Sequence, residues 1–244
     1  MVVPKASFQR FGRIGWLGLF VATAFFFYYP VNSGLVRLFL VAAVPALLVG
    51  AMLLLWRWKR WRFIPVAMLA FAVLAFLLPG RRQDPDRLRA QYVASLRPYE
   101  SARYVWGGEN RFGIDCSGLA RKGLIIAHLR EAALTLNPGH LRNAAALWWH
   151  DCSARALKDE YRGWTRVLFR ADSVNAIDVS RLLPGDLAVT ADGVHVLIHV
   201  GDAEWIEADP GLGRVFKAHA PLRNPWFEKP VSVVRWRRLE RSGS

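Results

Sequence analysis

Two side chains in the C-terminal part of this sequence can act together as a nucleophile and its base, and the first of them is a cysteine. Cys116 directly follows Asp115, which stands where a helix N-cap is expected, ahead of a run with helical spacing. A cysteine in the first turn of a helix meets the positive end of the helix dipole and unpaired backbone N–H groups. Both lower the pKa of its thiol and favour the thiolate. The sequence therefore predicts Cys116 as a nucleophile, and the same N–H groups can stabilise the oxyanion of a tetrahedral intermediate.

The base for this nucleophile is predicted at His195. Of the six histidines, His195 directly precedes the mostly apolar run 196–200, which is typical of a strand. The Gly201-Asp202 pair that follows this run is a hairpin signal. Glu207 lies on the predicted returning strand. We expect the paired strands to bring the Glu207 carboxylate to the imidazole, where it orients the ring and stabilises its protonated form.

The residues around these candidates predict the elements that hold them. Gly107 and Gly108 precede Cys116 in a loop, where glycine allows backbone conformations closed to other residues. After Cys116, apolar and small residues at helical spacing predict a helix that buries one face: Leu119, Gly123, Leu124 and Ala127. The site is thus predicted at a loop-to-helix junction facing a hairpin.

Four motifs follow one another in the C-terminal part of the sequence: Tyr104-Val105-Trp106-Gly107-Gly108, Asp115-Cys116-Ser117-Gly118-Leu119, Pro184-Gly185-Asp186-Leu187, and His195-Val196 with the strand to Gly201. In this order they resemble the NlpC/P60 family of papain-like cysteine peptidases, which cut bacterial cell-wall peptides. The resemblance covers roughly residues 100–210. It implies an α+β, papain-like fold in which the nucleophile helix packs against a mostly antiparallel sheet.

The resemblance also implies roles for single residues. Cys116 matches the nucleophile and His195 the base, while Tyr104, Asp115 and Ser117 match positions that line the substrate site. In the family, the aspartate meets the free amine of a peptidoglycan stem peptide, and the usual reaction hydrolyses the D-glutamyl to diamino-acid bond. No cofactor is implied.

Two features depart from the family pattern. Glu207 stands where the family more often has His, Asn or Gln. A carboxylate there can still orient the imidazole, and it strengthens a thiolate–imidazolium pair electrostatically. The stretch between Cys116 and Pro184 is also longer than the family requires, and the sequence leaves open whether residues 137–180 cover the substrate groove.

Other readings of the chemical residues remain open. A papain-like thiol acyltransferase or lipid amidase, and a non-enzymatic cell-wall-binding scaffold with a degenerate site, are the alternatives to a peptidase. The presence of Tyr104 and Asp115 favours the peptidase. No metal site is predicted, because strand spacing separates His195 from His199 by roughly 13 Å, and a site at His150 and Cys152 lacks further ligands.

The N-terminal third has the composition of a membrane region. The chain has 244 residues, 53% of them hydrophobic, and a net charge of +14 that falls mainly on residues 1–90. Three runs without charged residues, 14–29, 38–56 and 63–79, predict an N-terminal bundle of three transmembrane helices at about 14–31, 35–56 and 63–79, the second extended past Arg37, whose side chain can reach the interface. The predicted organisation is a membrane region at 1–80, a linker helix at 81–97 and an NlpC-like catalytic domain at 98–244.

The flanking charges predict the orientation of this region. Basic residues precede the first run and fill the turn between the second and third, at Arg57, Lys59, Arg60 and Arg62. The positive-inside rule places both groups in the cytoplasm and, with three spans, the catalytic domain in the periplasm or outside the cell. A cleavable signal peptide is disfavoured, because aromatic residues and no polar stretch follow Ala22-Thr23-Ala24. The expected partners are the lipid bilayer and peptidoglycan peptides, with no nucleic acid; the sequence leaves the oligomeric state unknown.

Overall fold

The chain divides into an N-terminal helical unit and a C-terminal α+β unit. The computed structural model describes residues 5–56, 58, 60–61 and 63–240. The two compact units are Met1–Leu78 and Pro79–Ser244. Arg57, Lys59 and Arg62, whose charges enter the predicted orientation, lie outside the described residues.

Three helices form the first unit, α1 (Lys5–Tyr28), α2 (Gly34–Leu54) and α3 (Phe63–Leu77). Helix α2 lies against α1, where the Trp16 indole donates to the carbonyl of Leu47 at 2.9 Å. Both helices are long and apolar enough to cross a membrane. Helix α3 has 15 residues, about 22 Å of rise, which is less than the roughly 30 Å of a bilayer core. The prediction of three spans is therefore supported for two helices only.

The second unit begins with helix α4 (Pro85–Leu96), the predicted linker helix. Asp84 caps it by accepting from two backbone N–H groups, and Pro85 occupies its first turn. Leu88, Tyr92 and Leu96 are buried on one face, against helix α5 (Cys116–Thr135). A Cβ at Gly123 of α5 would lie 2.6 Å from Leu96. Glycine therefore allows the two helices to approach closely.

A six-stranded sheet forms the other layer, and all its pairings are antiparallel, in the order β3-β8-β4-β5-β6-β7. The strands are β3 (Thr165–Ala171), β4 (Leu187–Thr190), β5 (Val196–Gly201), β6 (Glu204–Asp209), β7 (Arg214–His219) and β8 (Val231–Trp236). Two short strands, β1 (Glu109–Asn110) and β2 (Gly113–Ile114), form a small hairpin before α5. The predicted hairpin of β5 and β6 is confirmed.

The core lies on both faces of this sheet because its central strands are buried throughout. Ile198 and Ile206 belong to the cluster that contains Leu124 of α5. Leu197 and Trp205, one residue away on each strand, belong to a second cluster on the opposite face. This alternation is the two-residue period of a strand.

Most of residues 137–180 contributes to this core. Helix α6 (Pro138–Trp149) packs on α5, and β3 extends the sheet beside β8. The short helix α7 (Ala154–Lys158) lies against the loop between β4 and β5, where the Lys158 ammonium donates to the carbonyl of Ala191 at 2.7 Å. Side chains of α7 therefore donate hydrogen bonds to the loop that leads into His195.

Candidate active site

Cys116 is the first residue of α5, and Asp115 caps the helix as predicted. One Asp115 carboxylate oxygen accepts from Gly118 N at 2.6 Å, and the other accepts from Gly107 N at 2.8 Å. The carboxylate therefore joins the glycine loop to the start of the helix. The contact is close, because a Cβ at Gly118 would lie 2.3 Å from the carbonyl oxygen of Gly108. The spacing of the two glycine-containing motifs reflects this loop-to-helix packing.

The Cys116 thiol is enclosed by the chain on either side of His195. The side chain is 7% exposed, and Sγ contacts the carbonyl oxygen of Val194 at 4.0 Å. Burial and the nearby Asp115 carboxylate raise the pKa of this thiol to about 12, against the opposing effect of backbone N–H groups that include that of Val196. The prediction of a lowered pKa is therefore wrong for this conformation, because desolvation outweighs the N–H groups of the helix start.

His195 lies at the entry to β5 with its ring fixed on two sides. Its backbone N–H donates to the Thr190 hydroxyl at 3.0 Å. Its Nε2 is hydrogen-bonded to the Glu207 carboxylate on β6, and the ring stacks on Trp226 with centroids 4.3 Å apart and planes at 23°. Its Nδ1 makes no hydrogen bond to the described residues. The hydrogen bond at Nε2 thus holds the ring in place, and Nδ1 is left to accept a proton.

Glu207 is buried beside His195, as the hairpin predicts. The residue is 1% exposed, and its second oxygen, Oε1, has no hydrogen-bond partner among the described residues. Burial raises the pKa of this carboxyl, and the hydrogen bond and charge of His195 oppose that shift. A buried carboxylate without a compensating partner is energetically costly, so electrostatic attraction to His195 holds this pair together.

The structure places the other predicted site residues around Cys116. Ser117 donates its hydroxyl to Asp115 at 3.0 Å, so Asp115 accepts from three donors and contributes to the local structure. Burial first, and then the charges of Cys116, Asp115 and Asp209, raise the pKa of the Tyr104 phenol to about 12. Tyr104 is thus the predicted substrate-lining residue whose polar end is not committed to a hydrogen bond among the described residues.

Sequence reasoning missed two residues beside the pair. Trp226 stacks on His195 from helix α8 (Pro225–Glu228), and the Lys229 ammonium lies 4.7 Å from the centroid of the indole ring. Asp209, buried on β6 two residues after Glu207, accepts from Asn224 at 3.1 Å. The alternation of β6 could have indicated Asp209, because residues two apart share a face. No local pattern points to Trp226.

The Pro-Gly-Asp motif has a structural role in the sheet. Both oxygens of Asp186 accept from Arg235 of β8 at 2.6 Å, and one of them also accepts from Leu183 N at 2.8 Å. The hydrogen bonds of Asp186 raise the pKa of Arg235. This ion pair ties the turn before β4 to the neighbouring strand, which supports the hairpin that carries His195.

The remaining polar candidates of the sequence are committed elsewhere. The two ring nitrogens of His199 face the carbonyls of Leu183 and Asp202, at 3.3 and 2.8 Å. Cys152 is a half-buried free thiol that contacts the carbonyl of Ser153 at 3.5 Å. Within residues 5–240, leaving aside the undescribed positions 57, 59 and 62, no group of three metal-ligating side chains comes together.

A helix that starts at a cysteine and packs on an antiparallel sheet carrying a histidine is the architecture of the papain-like α+β class. Residues 101–235 match the model of the NlpC/P60 family. This match covers more than half of the chain, so the chain belongs to the NlpC/P60 family. It carries a peptidoglycan-hydrolase-like domain of that family, and the family predicted from the motifs is confirmed. No curated protein matches the chain significantly.

Several solved structures are similar to this domain. The NlpC/p60 domain of the peptidoglycan hydrolase SagA is 24% identical, with 59% of this chain and 97% of that chain covered and a TM-score of 0.36. NlpC2 from Trichomonas vaginalis is 18% identical, with 64% and 49% covered and a TM-score of 0.40. The peptidoglycan hydrolase RipB from Mycobacterium tuberculosis is 17% identical, with 65% and 69% covered and a TM-score of 0.39. The chain spans about half of the Trichomonas protein.

Proposed function

We propose that this protein is a membrane-anchored cysteine peptidase that hydrolyses the stem peptides of bacterial peptidoglycan. Cys116 is the nucleophile, His195 the general base and Glu207 the group that orients the base. The observation that carries the proposal is the His195–Glu207 pair, which holds Nε2 and leaves Nδ1 unbonded, in the chain segment whose backbone encloses the Cys116 sulfur. Such an arrangement suits a thiol that must be deprotonated by a neighbouring imidazole.

The reaction starts from a protonated thiol. Rotation of the Cys116 side chain turns its S–H from the Val194 carbonyl towards Nδ1 of His195, which takes the proton as the sulfur attacks the substrate carbonyl. Backbone N–H groups at the start of α5 stabilise the oxyanion. The imidazolium then protonates the leaving amine, and water hydrolyses the acyl-enzyme with His195 again as base. Glu207 compensates the positive charge that His195 carries between these steps.

Substrate recognition is proposed at Tyr104, Asp115 and Ser117. Tyr104 is proposed to donate its hydroxyl to the substrate; its raised pKa keeps the hydroxyl protonated. The Asp115 carboxylate accepts from three donors and keeps lone-pair capacity for a fourth. A free stem-peptide amine is such a donor. The bond proposed to be cleaved joins D-glutamate to the diamino acid.

Digestion of purified muropeptides by the full chain in detergent, read by mass spectrometry, tests this activity. We expect cleavage that releases a new α-amine at the diamino acid. It should disappear in Cys116→Ala and persist in Cys152→Ser, a matched thiol control that lies outside the proposed machinery. Cleavage that survives in Cys116→Ala would exclude the thiol mechanism.

A non-enzymatic cell-wall-binding domain is the second candidate. The observation that favours it is the enclosed, protonated Cys116. In that case a folded wild-type chain binds muropeptides without cleaving them, and Cys116→Ala binds as the wild type does. The same samples, read by binding and by cleavage, separate the two functions.

For the membrane region, we propose that α3 crosses together with α1 and α2. A hydrophobic segment shorter than the bilayer core is accommodated by local thinning and by flanking residues that reach the interface. Three spans place the catalytic domain on the periplasmic or outer side of the cytoplasmic membrane, where the substrate is. A topology reporter fused after Ser244 should be active outside the cytoplasm; a cytoplasmic signal would contradict both the location and the substrate.

A further inference from the structure

A cavity with an excess of arginines lies near the start of the C-terminal unit. It has a volume of about 490 Å³, and arginines from two chain segments line it: Arg81, Arg82, Arg237 and Arg238. Asp86 and Glu240 line it as well. Each of these carboxylates is hydrogen-bonded to a further arginine, Asp86 to Arg89 at 2.6 Å and Glu240 to Arg166 at 2.9 Å. The acids therefore do not neutralise the four arginines.

The guanidinium groups of this cavity have few acceptors of their own. Arg81, Arg82 and Arg238 have no side-chain hydrogen bond or ion pair to the described residues, and Arg237 reaches Glu160 only at 3.9 Å. Arg238 is half-buried, and burial lowers its pKa. Four cations that lack acceptors leave the lining of this cavity with an excess of positive charge, which a bound anion would compensate. A phosphate fits best, because guanidinium groups bind its oxygens in pairs.

The first two arginines of this cavity directly follow the apolar region in the sequence. Arg81 follows Leu78 by three residues, so the two lie at most about 11 Å apart. The backbone of Arg81 is held on the C-terminal unit by the Asn137 carboxamide, which accepts from Arg81 N at 2.9 Å and donates to Arg81 O at 3.1 Å. A headgroup layer is about 5–7 Å thick. With Leu78 at the edge of the hydrocarbon, the arginine side chains reach the lipid phosphates.

We propose that this cavity binds the phosphate of an anionic glycerophospholipid in the membrane that holds the N-terminal helices. The proposal rests on the proposed membrane insertion and is independent of the catalytic mechanism. The lipid fixes the catalytic domain against the membrane surface through arginines at both ends of that domain's sequence.

Native mass spectrometry of the full chain in detergent tests the proposal, with phosphatidylglycerol as the probe and zwitterionic phosphatidylethanolamine beside it. Each arginine near a lipid surface contributes about a fivefold change in affinity. We expect Arg81→Gln/Arg82→Gln to bind phosphatidylglycerol about 30-fold more weakly and Arg238→Gln about fivefold more weakly. The charge-matched control, Arg162→Gln/Arg170→Gln, changes two exposed arginines outside the cavity and should bind as the wild type does.

Two results would overturn the assignment. Equal phosphatidylglycerol binding by the cavity variant and the control would show that the arginines make no specific site. Displacement of the lipid by soluble glycerol 3-phosphate at equal concentration would show a site for free phosphate. Alkaline extraction of membranes that contain the full chain tests insertion separately. Muropeptide cleavage, measured on the same variants, reports on the proposed activity and not on this cavity.

Discussion

The buried pair of His195 and Glu207 gives a graded prediction for two substitutions at one position. In Glu207→Gln the amide oxygen still accepts from Nε2 of His195, so the ring keeps its orientation and tautomer. The transition state loses the difference in strength between a charged and a neutral hydrogen bond, about 1–1.5 kcal/mol, which corresponds to a roughly tenfold lower kcat. The amide nitrogen takes the place of Oε1, which has no partner among the described residues.

Glu207→Ala removes the acceptor altogether. The imidazole is 1% exposed, so water does not readily replace the carboxylate, and Nε2–H stays unpaired while the ring loses its orientation. Mis-setting the histidine of a catalytic triad costs on the order of 10⁴-fold in rate. Because Trp226 still holds one face of the ring, we expect a loss of about 10³-fold.

The assay is the initial rate of muropeptide cleavage by the full chain, with kcat and KM measured across pH. In Glu207→Gln the acidic limb of the pH–rate profile should move to lower pH, because the imidazolium loses its compensating charge and His195 stays neutral, and so basic, at lower pH. KM should change little in both variants, since Glu207 is buried and its hydrogen bond is to His195. Equal losses in the Gln and Ala variants, or an Ala variant within a few-fold of wild type, would refute the orienting role.

Three further predictions concern the surroundings of the site. Asp186→Ala leaves Arg235 unpaired, so the free energy of unfolding, measured in urea titrations followed by tryptophan fluorescence, should fall by about 3–5 kcal/mol. The double variant Asp186→Ala/Arg235→Met should regain part of this stability. Fully additive effects of the two substitutions would contradict a stabilising interaction between Asp186 and Arg235. Trp226→Ala should lower kcat up to about tenfold at nearly constant KM, with Trp226→Phe closer to wild type, whereas a change confined to KM would indicate a substrate contact. Burial and the neighbouring His140 lower the pKa of His128 to about 3, so its contribution to stability is complete above pH 6.5, the ordinary pKa, and is lost as the pH falls towards 3. Between these values the free energy of unfolding should therefore rise by about 1.4 kcal/mol per pH unit because of this residue. The same pH dependence in His128→Leu would contradict this prediction.

The parts of the site that the sequence predicted correctly depend on neighbours in the chain. Asp115 caps the helix that starts at Cys116, and the hairpin between β5 and β6 brings His195 and Glu207 together across twelve residues. Turn and capping chemistry is local, so residue type and spacing reveal it.

The features that the sequence did not predict depend on distant contacts. Trp226 reaches His195 from helix α8, and Arg235 reaches Asp186 from 49 residues away. No periodic pattern encodes such pairs. The raised pKa of Cys116 has the same origin, because the chain around Val194 supplies the burial that outweighs the helix start. The composition of the third apolar run indicated an apolar helix but not its length, and α3 ends at Leu77.

The enclosure of Cys116 also affects how the protein withstands oxidants. Thiolates are oxidised through sulfenic acid to forms that do not recover, and the rate follows thiolate content and exposure. A thiol that is 7% exposed and protonated offers little of either. The resting thiol is therefore shielded from oxidants, and under the proposed mechanism it is open to damage only during turnover. Burial of the Cys116 sulfur thus slows its oxidation and, for the same reason, makes its reactive thiolate harder to form.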